Sequence, residues 1–82
     1  MFHKAVDLKF KDGTNMEETF QDGKVFEYDM SKLYEKYPKL RALNDNDFFK
    51  AGKLTGLGII WNDGLDIETE TIYEEGTLLR TV

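Results

Sequence analysis

Polar and apolar residues alternate at the start of the chain, where Val6, Leu8 and Phe10 are separated by Asp7, Lys9 and Lys11. Residues two apart share a face of a strand, so the pattern predicts a strand over about residues 3–11 with one apolar and one charged side. The same period resumes after Asp12-Gly13, with Met16 and Phe20 on one face, and after Asp22-Gly23, where Phe26 and Tyr28 oppose Val25 and Glu27. Strands of about 14–21 and 24–28 complete a meander. Glu18 falls on the apolar face of the second strand. An edge position or a register-shifting bulge would accommodate it.

The period then changes. Asp29 or Ser31 offers an N-cap, Leu33, Tyr34 and Tyr37 recur at helical spacing, and Pro38 stops the run, which predicts a helix of about 30–37 with Lys32 and Lys36 on its wet face. Leu40-Arg41-Ala42-Leu43 leads to Asn44-Asp45-Asn46-Asp47, whose side chains cap a short helical turn carrying Phe48 and Phe49 and ending at Gly52. A strand over about 53–61 follows, in which Gly56 and Gly58 imply a bulge or a close backbone contact. Beyond Asp63-Gly64, Leu65 to Glu68 forms a brief strand. Thr69 then caps a helix of one to two turns, with Ile72 and Tyr73 facing inward and Gly76 as terminator. From Thr77 the chain adds an edge strand or frays. Each of the three Asp-Gly pairs predicts a hairpin, because both residues tolerate positive φ. The expected class is α+β: one domain over residues 1–82, an antiparallel sheet in the order β-β-β-α-(short α)-β-β-(short α), and helices packed on one face.

At 82 residues the chain hides only roughly 60–65% of its unfolded surface, so the core is thin. A hydrophobic fraction of 40% with 13% aromatics still suffices for order. The absence of cysteine excludes disulfides, thiolate metal sites and a cysteine nucleophile, and it fits a cytoplasmic protein. Charges interrupt Met1-Phe2-His3-Lys4-Ala5-Val6-Asp7 where a signal peptide needs an apolar run, and the longest apolar run is Ile59-Ile60-Trp61, so neither export nor membrane insertion is expected. The net charge of −5 argues against general adhesion to polyanions. Its distribution is uneven, with a basic stretch over residues 30–53 between two acidic flanks.

Reactive constellations are sparse. His3 is the sole histidine and Ser31 the sole serine, so a nucleophile triad would have to assemble at a frayed terminus. Asp63, Asp66 and Glu68 crowd one turn and strand, with Asp66 and Glu68 on one face; they could hold a divalent cation or act as acid and base, or simply serve the turn and solvent. Asp45 and Asp47 imitate the start of a calcium loop, but Lys50 and Gly56 stand where such a loop needs Gly and Glu. Gly56-x-Gly58 lacks the third glycine and following helix of a nucleotide motif. Lys32, Lys36, Lys39 and Arg41 form a basic face that could meet nucleic acid, although Glu35 and the acidic flanks weigh against it. The aromatics are core material in the main. Trp61 is expected to cover a core edge with its N–H on a carbonyl, and any aromatics left exposed would form a protein-binding or dimer surface.

In this order the residues resemble a small bacterial family, domain of unknown function 2442. The resemblance rests on Phe20-Gln21-Asp22-Gly23 leading to Tyr28-Asp29, on Tyr37-Pro38 to Leu43, on Phe48-Phe49-Lys50, and above all on Gly58-Ile59-Ile60-Trp61-Asn62-Asp63-Gly64-Leu65-Asp66-Ile67 followed by Ile72-Tyr73. It spans nearly the whole chain, with Asn62 standing where many relatives carry Pro. The resemblance implies a small free-standing cytoplasmic protein. Some members precede a helix-turn-helix domain, for which these 82 residues leave no room, and others sit beside a second small domain as toxin and antitoxin pairs do. No catalytic residues are established for the family, so none carry over to this chain, and no cofactor is expected. The leading expectation is therefore a non-enzymatic module that binds an unidentified protein, with Lys32, Lys36, Lys39, Arg41, Trp61, Asp63, Asp66 and Glu68 as its candidate surface and the oligomeric state open, a homodimer included. The alternatives are a nucleic-acid-linked regulator using residues 32–41 and a metal-assisted enzyme using Asp63, Asp66 and Glu68.

Overall fold

The N-terminal alternation becomes three antiparallel strands, β1 (Ala5–Phe10), β2 (Asn15–Phe20) and β3 (Lys24–Asp29). The computed structural model describes residues 3–55, 58–61 and 64–82. Gly56, Asn62 and Asp63, which carry expectations of a strand glycine, a turn and a site carboxylate, lie outside the described residues. Gly13, Gly23 and Gly64 have φ of 67°, 90° and 75°, and among the described residues no non-glycine has positive φ, so the first two Asp-Gly turns work through glycine alone.

The expected helix over 30–37 is reduced to a 3₁₀ helix, Met30–Leu33, followed by turns. Asp29 is its cap, with Oδ1 accepting from the Ser31 N–H at 3.0 Å and from the Thr14 hydroxyl at 2.6 Å. Pro38 opens a second 3₁₀ helix, Pro38–Asn44, instead of merely stopping the first. Asp45 then caps α1 (Asn46–Lys50) by accepting from the Asp47 and Phe48 N–H groups.

The strand expected over 53–61 divides into β4 (Lys53–Leu54) and β5 (Gly58–Ile60), paired antiparallel. Gly58 marks a close backbone approach: a Cβ there would stand 2.1 Å from the Ile67 carbonyl oxygen. β6 (Asp66–Glu68) pairs with β5, and α2 (Thr69–Glu75) follows directly. Glu68, not Thr69, occupies the cap position of α2; the Thr69 hydroxyl instead donates to the His3 carbonyl at 3.2 Å. The C-terminal stretch pairs with β3 as the edge strand β7 (Thr77–Thr81).

The fold is α+β, with its antiparallel strands divided between a four-stranded sheet, β1-β2-β3-β7, and a three-stranded sheet, β4-β5-β6. A shared core lies between them. It takes Met16, Phe20, Phe26 and Tyr28 from the first sheet, Ile59 and Ile67 from the second, and Leu40, Leu43, Phe49, Trp61 and Ile72 from the intervening segments. β2 is an inner strand, so Glu18 is not at an edge. The register shifts fall at Val6 in β1 and Leu79 in β7, so no bulge turns Glu18 outward either. Its carboxyl is wholly buried and without a hydrogen-bond partner, and burial pushes its pKa up to about 8.

Candidate functional site

After β3 the chain is tied to the core through buried Leu33, Leu40 and Leu43. Hydrogen bonds from the Tyr37 N–H to the Leu33 carbonyl (2.8 Å) and from the Leu40 N–H to the Tyr37 carbonyl (2.9 Å) carry it around Pro38. This leaves Lys36, Tyr37 and Lys39 exposed, with the Lys36 ammonium 5.5 Å above the Tyr37 ring. Opposite lie β6 and α2. Ile67 is buried, so strand alternation sends the flanking Asp66 and Glu68 side chains to solvent.

Between these walls runs a groove of about 670 Å³. Leu33, Tyr37, Leu40, Leu65 and Ile67 supply its apolar surface, Lys36 and Lys39 one bank, and Asp66, Glu68 and Glu75 the other. Among the described residues no ion pair joins the banks. A groove with an apolar floor and opposed charges is complementary to a surface that carries charge and apolar area together. Carboxylates facing Lys36 and Lys39 also weaken the field that those lysines present to a polyanion.

The structure thus brings together four of the candidate residues, Lys36, Lys39, Asp66 and Glu68. Lys32 and Arg41 are exposed but do not line the groove, and Lys32 sits 5.8 Å over the Tyr28 ring. Trp61 is buried at 2% exposure and donates its Nε1–H to the Phe49 carbonyl at 2.8 Å; it belongs to the core edge and is no part of the surface. Asp63 lies outside the described residues. Among the described residues no group of three or more His, Asp or Glu side chains gathers as a metal site.

Sequence reasoning did not find Tyr37, Thr71 and Glu75 as groove residues, because their convergence depends on how α2 docks over a segment thirty residues earlier. It also left His3 at a frayed end, whereas the structure secures it. The His3 ring stacks on Tyr73 with centroids 3.6 Å apart, and Nδ1 lies 3.0 Å from Glu70 Oε2. The His3 N–H also donates to Glu70 Oε1, and the Tyr73 hydroxyl donates to Asp22 Oδ2 at 2.6 Å. The contact with His3 holds the Glu70 carboxyl below its usual range. Among the described residues the hydroxyl bonded to His3, that of Thr69, meets its backbone carbonyl and not its ring, so these contacts fasten the start of β1 to α2 and set no hydroxyl nucleophile on the imidazole.

The chain matches the model of the family described as Protein of unknown function (DUF2442) over residues 5–77. No curated protein and no solved structure matches it.

Proposed function

The chain belongs to the DUF2442 family, and on that premise we propose that it is a non-enzymatic protein-interaction module whose binding surface is the groove between Lys36–Leu40 and β6. The observation that carries this reading is the pairing of an apolar floor with two unneutralised banks of opposite charge. A bacterial cytoplasmic setting goes with it, supported by the absence of cysteine. No helix among the described residues is long and apolar enough to cross a membrane.

The test is site-specific photocrosslinking in the native host, with the probe at Tyr37 in the groove or at Lys9 on the exposed face of β1. The reading expects a discrete protein adduct from position 37 that is missing from position 9 and falls about tenfold in the charge-reversed D66K/E68K background. No adduct, or the same adducts from both positions, would overturn it. An RNA or DNA adduct at position 37 would move the assignment to the nucleic-acid alternative.

A further inference from the structure

The groove runs along the free edge of a strand, and the hydrogen-bond register shows which backbone groups face it. The Trp61 N–H donates to the Leu65 carbonyl at 2.8 Å, which makes 61 and 65 a hydrogen-bonded pair. Pairing alternates in an antiparallel ladder, so Ile59 with Ile67 is bonded, while Ile60 with Asp66 and Gly58 with Glu68 are not. Gly58 agrees: its carbonyl accepts from the Thr55 N–H at 2.7 Å and its own N–H donates to the Thr55 hydroxyl at 2.9 Å, both on the side away from β6. The Asp66 N–H and C=O and the Glu68 N–H therefore point out of the sheet into the groove. The Glu68 carbonyl, at the cap position, serves the first turn of α2.

The other edges are poor templates. β1 and β7 carry the register shifts at Val6 and Leu79, and β4 has only two residues. β6 is regular, and Gly64 to Glu68 offer about 13 Å of groove wall, room for four or five extended residues.

We propose that the groove binds its partner as an added antiparallel strand on β6, and that the partner segment alternates basic and aliphatic residues. This rests on the protein-binding reading above and names the partner's chemistry. Cross-strand neighbours share a face, so the residues opposite Asp66 and Glu68 are Lys or Arg, and those between them lie on the face of Ile67, over Leu33, Tyr37, Leu40 and Leu65. The backbone of the basic residues turns toward β6. The outer edge of the added strand faces Lys36 and Lys39, whose ammonium groups meet its free carbonyls.

The probe is a capped peptide of about eight residues alternating Lys and Val, titrated into the intact protein and followed by amide NMR. Binding slows hydrogen exchange at the Asp66 and Glu68 amides. N-methylation at the lysine amides weakens it at least about tenfold, since it removes hydrogen bonds to β6, whereas N-methylation at the valine amides is tolerated. A Glu-Val peptide binds at least about tenfold more weakly, and D66K/E68K reverses that preference. Absent binding, or binding with unprotected Asp66 and Glu68 amides or indifference to the site of methylation, would overturn the added-strand inference. Crosslinking at Tyr37 would still decide the protein-binding reading separately. Protection of those amides by self-association, without peptide, would replace the partner with a second copy of the chain.

Discussion

Glu17 and Glu18 are adjacent and chemically identical, and their carboxyls are driven in opposite directions. Glu17, on the opposite face of β2, is nearly buried between the Lys11 ammonium at 2.9 Å and the Arg80 guanidinium at 3.2 Å, and Lys11 above all holds its pKa below the usual range. Glu18 faces inward, where burial raises its pKa from 4.5 to about 8. The folded state thus binds a proton that the unfolded state releases. The stability linked to Glu18 is complete below about pH 4.5 and is lost, at about 1.4 kcal/mol per pH unit, as pH rises toward 8. Urea midpoints should fall across that window in the natural protein and much less in Glu18→Gln; parallel profiles would show that Glu18 does not carry the slope. Glu18→Met, which removes the unpartnered oxygens and fills similar space, should raise stability at pH 7 by about 1–3 kcal/mol. The sequence marks Glu18 as anomalous because alternation is local. Its solution was not legible, since burial of β2 on both flanks depends on strands and helices that meet it only in three dimensions.

Among the elements, those that local chemistry dictates were the most legible. The meander, its glycine turns, the Asp45 cap and the brief strand after Gly64 all depend on residues within a few positions of one another. The division of 53–61 into two strands was missed because Gly56 and Gly58 were read as a bulge or close contact within one strand, and the loss of the helix over 30–37 because the spacing suits either helix type across so short a run. Gly58 was legible as one of two alternatives, and the close approach is the one realised. That fixes an order of costs among glycines. Gly64→Ala meets open space and suffers only its φ of 75°, about 1 kcal/mol, whereas Gly58→Ala drives a Cβ into the Ile67 carbonyl and should cost about 2–4 kcal/mol by parting β5 from β6. Equal urea midpoints for the two variants would contradict the approach. Because β6 forms one wall of the groove, Gly58→Ala should also disturb the Asp66 and Glu68 amides, which Gly13→Ala should leave in place.

At the scale of the molecule, the larger sheet is completed only across the smaller one. β3 finds its fourth-strand partner from Lys24 to Thr81, so the chain builds all of β4, β5, β6 and α2 before the larger sheet is finished. α2 packs against β3, β5 and β6, with Ile72 fully buried. Phe49 bridges the two sides, edge-to-face with Phe10 of β1 at 4.8 Å and stacked on Trp61 at 6.5 Å. The radius of gyration of 11.8 Å equals the roughly 12 Å of a single globule of this length. The division into two sheets was not legible because it is decided by pairings about fifty residues apart; much of the core was, although Val6, expected on the apolar face of β1 with Leu8 and Phe10, stands exposed at the register shift, and Tyr37 and Ile60 are exposed as well. The strands of the smaller sheet have only two, three and three residues, well below the usual five or six, so that sheet depends on its packing against the rest of the molecule. Both sheets should therefore unfold in one transition: Trp61 fluorescence, which reports the smaller sheet, and amide signals of β2, which report the larger, should give coincident midpoints in urea. Loss of Trp61 signal at lower urea than β2 would show that the smaller sheet opens by itself. Binding in the groove sharpens the test, because a ligand stabilises whatever must be folded to hold it. Both walls of the groove rest on the shared core, so a peptide bound along β6 should raise the β2 midpoint by as much as that of Trp61.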